Sequence, residues 1–243
     1  MLRLLFIGAP GVGKGTYASR VAESLGLLHI SSGDLLRAEV AKGSPVGAQI
    51  KEKIDQGLFV PDTLISEMIS NHIQSSSAKG YILMATPATY PKHSLYSRVG
   101  NLSQAQFVQQ SGLINIDRVY NLRQPYNVIL AKISSRRSCA DCGFGYNYAN
   151  INEGGIRMEP LVPKVDGVCD KCGSNKPFVT RPDDVLETVQ RRLDLYQDVT
   201  KPLEDYYAHL DKLTHFDVLG GTKQFLPKLL KLIDDEKSRY QKK

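Results

Sequence analysis

The opening of the chain, MLRLLFIGAPGVGKGT, restricts the fold more than any other stretch. Leu2 to Gly8 is an unbroken apolar run that ends in a glycine loop. A run without polar alternation predicts a strand buried on both faces, as in the middle of a parallel sheet. Gly8-Ala-Pro-Gly-Val-Gly-Lys14-Gly15 then follows most of the phosphate-loop pattern. Its glycines let successive backbone amides point at one anion, and the helix expected over Thr16–Leu25 adds its positive end. Lys14 is placed to reach the outer phosphates of a nucleotide. The pattern asks for Ser or Thr after the lysine. Gly15 stands there and Thr16 follows, so the metal-binding hydroxyl is shifted.

Downstream, short apolar runs alternate with helical periodicity. Strands are expected at 28–30, 81–83, 118–122 and 215–219. A helix runs through Leu35, Leu36 and Val40, with Ser32 or Asp34 as its cap, and Gly43-Ser-Pro ends it. Further helices are expected over 46–56, 64–73 and 184–213, and through Leu226, Leu229, Leu230 and Ile233. In the helix over 184–213, Leu186, Val189, Leu193 and Tyr196 recur three and four apart. His29 is expected to pack or to face solvent. The alternation predicts an α/β fold, a doubly wound parallel sheet of five strands. Residues 136–180 break the rhythm. They are rich in Gly, Asn, Pro and Cys with weak periodicity, and read as an inserted lobe.

That lobe holds all four cysteines: Cys139, Cys142, Cys169 and Cys172. Two Cys-x-x-Cys knuckles are the layout of a four-thiolate zinc site, with two disulfides as the alternative. Gly143 and Gly173 follow the pairs and let the backbone fold back around an ion. Four cysteine ligands leave no open position, so the site reads as structural; iron could also occupy it. Free thiolates imply a reducing intracellular compartment, the cytoplasm or the mitochondrial matrix. A strand beginning at Leu2 leaves little room for a presequence, and no apolar run is long enough to span a bilayer. The net charge of +6 suits anionic partners, and the basic tail over 237–243 reads as solvated.

Several ordered stretches carry a resemblance: GAPGVGKGT (8–16), SSGDLLRA (31–38), GLFVPD (57–62), Arg136-Arg137, GVCDKCG (167–173), TRPDD (180–184) and ETVQRRL (187–193). With them the chain resembles the long form of adenylate kinase, which bears a zinc-binding lid. The likeness covers nearly the whole sequence. It implies a P-loop NTPase-type core over 1–31, 62–132 and 181–243. A monophosphate-binding insertion would cover 32–61, and a zinc-containing lid 133–180. The implied reaction is ATP + AMP = 2 ADP, with Mg2+ accompanying ATP and the chain a monomer unless recruited to a larger assembly. By resemblance, Gly11, Val12, Gly13, Lys14, Gly15 and Thr16 hold the phosphates of ATP. Arg136 lies against its base or phosphates, Gly145 and Tyr146 pass close to it, and Lys223 puts its backbone near the adenine. Ser32, Arg37, Leu58, Phe59 and Val60 form the acceptor pocket. Arg181 and Arg192 bridge both nucleotides and, with Lys14 and Arg136, are the expected catalytic cations. Asp183 and Asp184 pair with lid arginines. Arginines suit the task because a planar fork holds two oxygens at once, and a closing lid keeps water from the phosphoryl group.

One stretch departs from the family pattern. Where the family reads Asp-Gly-Phe-Pro-Arg, this chain reads Met84-Ala85-Thr86-Pro87-Ala88. The acid that orders water around magnesium and the arginine that grips the monophosphate are both gone. Lys92 replaces an adenine-reading glutamine, and Lys132 replaces an arginine that stacks on the donor base. Lys92 or His93 could stand in for the missing arginine. The expectation is a weakened kinase; the alternative is an inactive ATP-binding homologue serving as a structural or regulatory partner. A nucleic-acid-binding zinc protein ranks last, because the lobe lacks the arginine and aromatic interleaving that stacks bases.

Overall fold

The computed structural model describes residues 1–55, 60, 62–84, 114–180 and 184–240. They divide into two compact units, one of Met1–Leu122 with Gln190–His215 and one of Arg123–Val189 with Phe216–Lys243. Among the described residues, no helix is long and apolar enough to cross a membrane.

The chain begins with β1 (Leu2–Gly8), α1 (Lys14–Leu25), β2 (Leu28–Ser31), α2 (Ser32–Ala41), α3 (Pro45–Asp55), α4 (Asp62–Gln74) and β3 (Gly80–Met84). After β4 (Arg118–Arg123) comes α5 (Tyr126–Ser134), then five short strands: β5 (Arg136–Cys139), β6 (Gly145–Asn147), β7 (Ile151–Glu153), β8 (Ile156–Met158) and β9 (Phe178–Val179). The chain closes with α6 (Leu186–His209), β10 (Leu213–Asp217) and α7 (Thr222–Tyr240).

The central sheet has five strands in the order β10-β4-β1-β3-β2. β1 pairs in parallel with β3 and β4, and β2 with β3. Leu4, Leu5, Phe6 and Ile7 are all buried, so both faces of β1 are covered, as its unbroken apolar run predicts. Crossovers between parallel strands put the strand ends on one side, and β1 ends there in the glycine loop.

Among the boundaries that differ from the sequence reading, three have a clear cause in the backbone. The cap of α2 is Ser31, not Ser32 or Asp34. Ser31 keeps the extended backbone of β2, and its hydroxyl accepts the Asp34 amide at 3.3 Å. α6 ends at His209 instead of running to Leu213. Asp211 takes φ 54°, which stops the helix, and the Lys212 amide reaches back to the Tyr207 carbonyl at 2.9 Å. β10 therefore starts two residues early, with the Val119 amide donating to the Lys212 carbonyl at 2.8 Å.

In the second unit, residues 136–180 form more sheet than their weak periodicity suggests. β6-β5-β9 make one small sheet, and β7 and β8 form a hairpin. Gly154 and Gly155 sit in its turn with φ of 58° and 78°, the two positive values a tight hairpin needs. α5 was also absent from the sequence reading. It buries Val128, Ile129 and Ile133.

Candidate functional site

The phosphate loop is shaped by its backbone. Gly8 has φ 142°, and a β-carbon there would lie 2.4 Å from the Leu122 carbonyl oxygen. Only glycine can end β1 so close to β4. Gly13 caps α1 in the left-handed region with φ 105°, no side chain bonds the cap, and the first turn carries no acid. The helix start is therefore suited to an anion. Val12 is buried and anchors the loop, and Gly11 turns it with φ 81°. Lys14 folds back over the loop, its Nζ donating to the Gly8 carbonyl at 2.6 Å and the Ala9 carbonyl at 3.0 Å. Gly15 is exposed, Thr16 half-buried.

The neighbouring strand ends are unlike those of a metal-dependent phosphate site. β3 ends at Met84, which pairs with Phe6 and is 5% exposed. A β-carbon on Gly15 would stand 3.8 Å from Met84 Sδ and Cε, so the thioether lies beside the loop. On the other flank, Asn121 and Leu122 pair with Ile7 and Gly8. Neither strand end offers an acid, so they do not fit an ion held by a strand-end carboxylate. Glu204 lies one side chain further out: the Tyr196 hydroxyl donates to it at 3.1 Å and to Asn121 Oδ1 at 3.5 Å.

Of the residues expected at the acceptor, Ser32 opens α2. Arg37 pairs with Asp34 on the surface. Val60 is buried in the hydrophobic core with Leu36, Ile50 and Ile65. Leu58, Phe59, Arg181 and Asp183 lie outside the described residues, as do Ala85, Pro87, Ala88, Lys92 and His93. Arg192 stands on α6, with its side chain outside them.

In the second unit Arg136 grips Asp184 with two donors, Nε reaching Oδ2 at 2.8 Å and Nη2 reaching Oδ1. The Asp184 side chain is fully shielded from solvent. The pairing expected of Asp184 is thus found, with an arginine of the 133–180 segment, whereas Asp183 lies outside the described residues. Lys132 Nζ donates to Gln124 Oε1 at 2.9 Å. Burial, and then the charge of Arg136, lower the Lys132 ammonium to about 7. Gln124 also donates to the Val218 carbonyl at 2.8 Å, a link with no sequence signal. Gly145 lies on β6, and Lys223 in the first turn of α7.

The four cysteines come together. The sulfurs of Cys139 and Cys172 are 3.7 Å apart, those of Cys142 and Cys169 3.6 Å, and all four lie within 4.8 Å of one another. All are free thiols, and these separations are far longer than a disulfide bond of about 2.05 Å. A tetrahedron with zinc–sulfur distances of ~2.3 Å has edges of about 3.8 Å, so the set fits such an ion.

Tyr146 supports this cluster. Its ring is 2% exposed and packs against Phe144 and Phe178. Its hydroxyl donates to Cys169 Sγ at 3.7 Å and accepts the Asp170 amide at 2.7 Å. Burial opposes ionisation of Cys169, yet donation from the backbone of Cys172 and Lys171 and from Tyr146 outweighs it and brings the thiol down to about 6. The side chain of Tyr146 therefore faces the knuckles. The sequence reading missed that role. An aromatic four residues past Cys142 was the available signal.

Comparison with known proteins adds to this geometry. The family model described as adenylate kinase matches residues 6–212. The chain is 37% identical over 238 residues to adenylate kinase 1, chloroplastic, of Arabidopsis thaliana, covering 94% of this chain and 76% of that protein. It is 35% identical over 245 residues to an adenylate kinase of Solanum tuberosum, with coverage of 97% and 78%. An adenylate kinase of Carboxydothermus hydrogenoformans is 36% identical over 224 residues, 91% of this chain and 93% of the relative.

Proposed function

The chain belongs to the adenylate kinase family, and on that premise we propose that it is a nucleoside monophosphate kinase, ATP + AMP = 2 ADP, with weakened turnover. The observation that carries the reading is the loop between β1 and α1, which ends at a helix start that no side chain caps and over which Lys14 folds. Phosphoryl transfer asks little covalent work of a protein; it needs alignment and positive charge. Lys14 would exchange two loop carbonyls for phosphate oxygens. Arg136, Arg181 and Arg192 would surround the migrating group, and the lid would exclude water. Ser32, Arg37 and residues 58–60 would seat the monophosphate. In this reading 1–31, 62–132 and 181–243 are the core, 32–61 the monophosphate lobe and 133–180 the lid.

Adenylate kinases use Mg2+ with ATP, and the ion travels on the nucleotide as part of the substrate. Zinc held by Cys139, Cys142, Cys169 and Cys172 would be structural, because four thiolates leave no position for substrate. ATP and AMP are the partners expected, with no nucleic acid and with the chain a monomer. The compartment is one that keeps thiols reduced. The relatives named as chloroplastic add a plastid to the cytoplasm and the mitochondrial matrix.

Met84 favours a second reading, an ATP-binding relative without turnover. A coupled assay for ADP separates the two. Losing one pre-aimed charged group costs on the order of 10²–10³ in rate. The expected result is ADP formation that needs both ATP and AMP, with kcat below about 1 s⁻¹ against the 1–10³ s⁻¹ usual for enzymes. ATP binding with no ADP formed supports the non-catalytic relative, and turnover at the full rate of an ordinary kinase contradicts the weakening.

A further inference from the structure

The strand end beside the phosphate loop holds a thioether where a metal-dependent site needs an acid. In P-loop phosphotransferases Mg2+ is held by the loop hydroxyl and by an acid at a nearby strand end. Met84 closes β3 next to β1, and its Sδ and Cε would stand 3.8 Å from a β-carbon on Gly15. A neutral thioether is a soft ligand, whereas Mg2+ demands hard oxygens in near-ideal octahedral geometry.

The adjoining sequence cannot repair the loss. From Glu67 to Asp117 the chain contains no intervening Asp or Glu, so no acid can swing in from the segment after β3. Asp117 precedes β4, at the opposite end of the sheet from the loop. It is committed there to Arg3, whose Nε donates to it at 3.0 Å. Glu204 is held by Tyr196, and Asp184 by Arg136.

Lys14 is the loop's own cation. An ion that the protein does not hold draws on the same phosphate oxygens that Lys14 would grip, and so adds no protein contact while weakening an existing one. We propose that this phosphate loop takes ATP without help from Mg2+, and that Met84 sets this indifference to metal. The inference rests on the nucleotide reading above and deepens it.

Calorimetric titration of the full chain with ATP, in Mg2+-free buffer and again with saturating Mg2+, tests it. The expected affinity without Mg2+ equals or exceeds that with it. Met84→Asp should reverse the order, binding ATP about tenfold tighter or more when Mg2+ is present. Met84→Asn, which adds an oxygen without burying a charge, should move the same way by a smaller factor and serves if the aspartate variant does not fold. A wild-type chain that binds ATP about tenfold tighter with Mg2+ overturns the inference and leaves the nucleotide reading intact. Folded variants that both stay indifferent to Mg2+ overturn the role of Met84. A chain that binds ATP in neither buffer overturns the inference together with the nucleotide reading.

Discussion

Cys169→Ser is expected to strip the bound metal and unfold the lobe around it, while the unit built on β1 stays folded. Cys169 is 1% exposed and lies 3.6 Å from Cys142. It also receives the Tyr146 hydroxyl. The buried apolar cluster there consists of Cys139, Tyr146 and Cys169, flanked by Cys142, Phe144 and Phe178. Half of those residues are metal ligands by this reading. So small a core cannot hold a lobe without a staple, and a structural zinc supplies on the order of 10–16 kcal/mol. Elemental analysis should fall from one metal per chain to near none. Calorimetric melting should lose one transition and keep another. A variant that retains its metal and melts like the parent would show that these sulfurs do not clamp an ion.

Arg136→Met carries the next largest effect, a loss of about 3–5 kcal/mol from the second unit. The cause is less the missing attraction than the carboxylate left behind. Asp184 has a fully shielded side chain, and Arg136 meets it with two donors. Removing the guanidinium takes two charged donors away from a buried carboxylate. Arg136→Met combined with Asp184→Leu removes both charges, and should recover most of the loss in urea denaturation. ATP affinity should not recover with it, because the proposed contact of Arg136 with the nucleotide is absent from both variants. Recovery of both would make Arg136 a purely structural residue. A single variant as stable as the parent would show the pair to be unimportant.

How much of this could be read in advance follows from the length and regularity of each element. β1, its loop and α1 were legible, since an unbroken apolar run followed by spaced glycines admits few conformations. The gathering of the four cysteines was legible from spacing alone. The strands of the second unit were not. At two to four residues they are too short to show alternation, although Ile-Asn-Glu-Gly-Gly-Ile already marked the hairpin. α5 was missed because nine residues starting just after Pro125 hold too few turns to show a stripe. Ser31 and Asp211 were missed because caps depend on one residue's backbone angles.

In the site, the join of Arg136 to Asp184 came from the resemblance, since nothing in spacing links residues so far apart. The hydroxyl of Tyr146 on Cys169 was missed, because an aromatic near a knuckle does not show what it bonds until β6 folds against the cysteines. The replacement of a strand-end acid by Met84 could be read directly. Its position against Gly15 could not, and that contact is what turns a missing motif into a statement about metal.

The central claim is that the glycine loop after β1 grips the phosphates of ATP through Lys14 and the start of α1. Titrating the folded protein with ATP by calorimetry, beside the Lys14→Ala variant, tests it most directly. The account predicts one ATP per chain for the parent and a loss of about tenfold or more in affinity for the variant, as one charge-assisted contact of ~1.5–3 kcal/mol requires. A parent that takes up no ATP, or a folded variant that binds it equally well, contradicts the account.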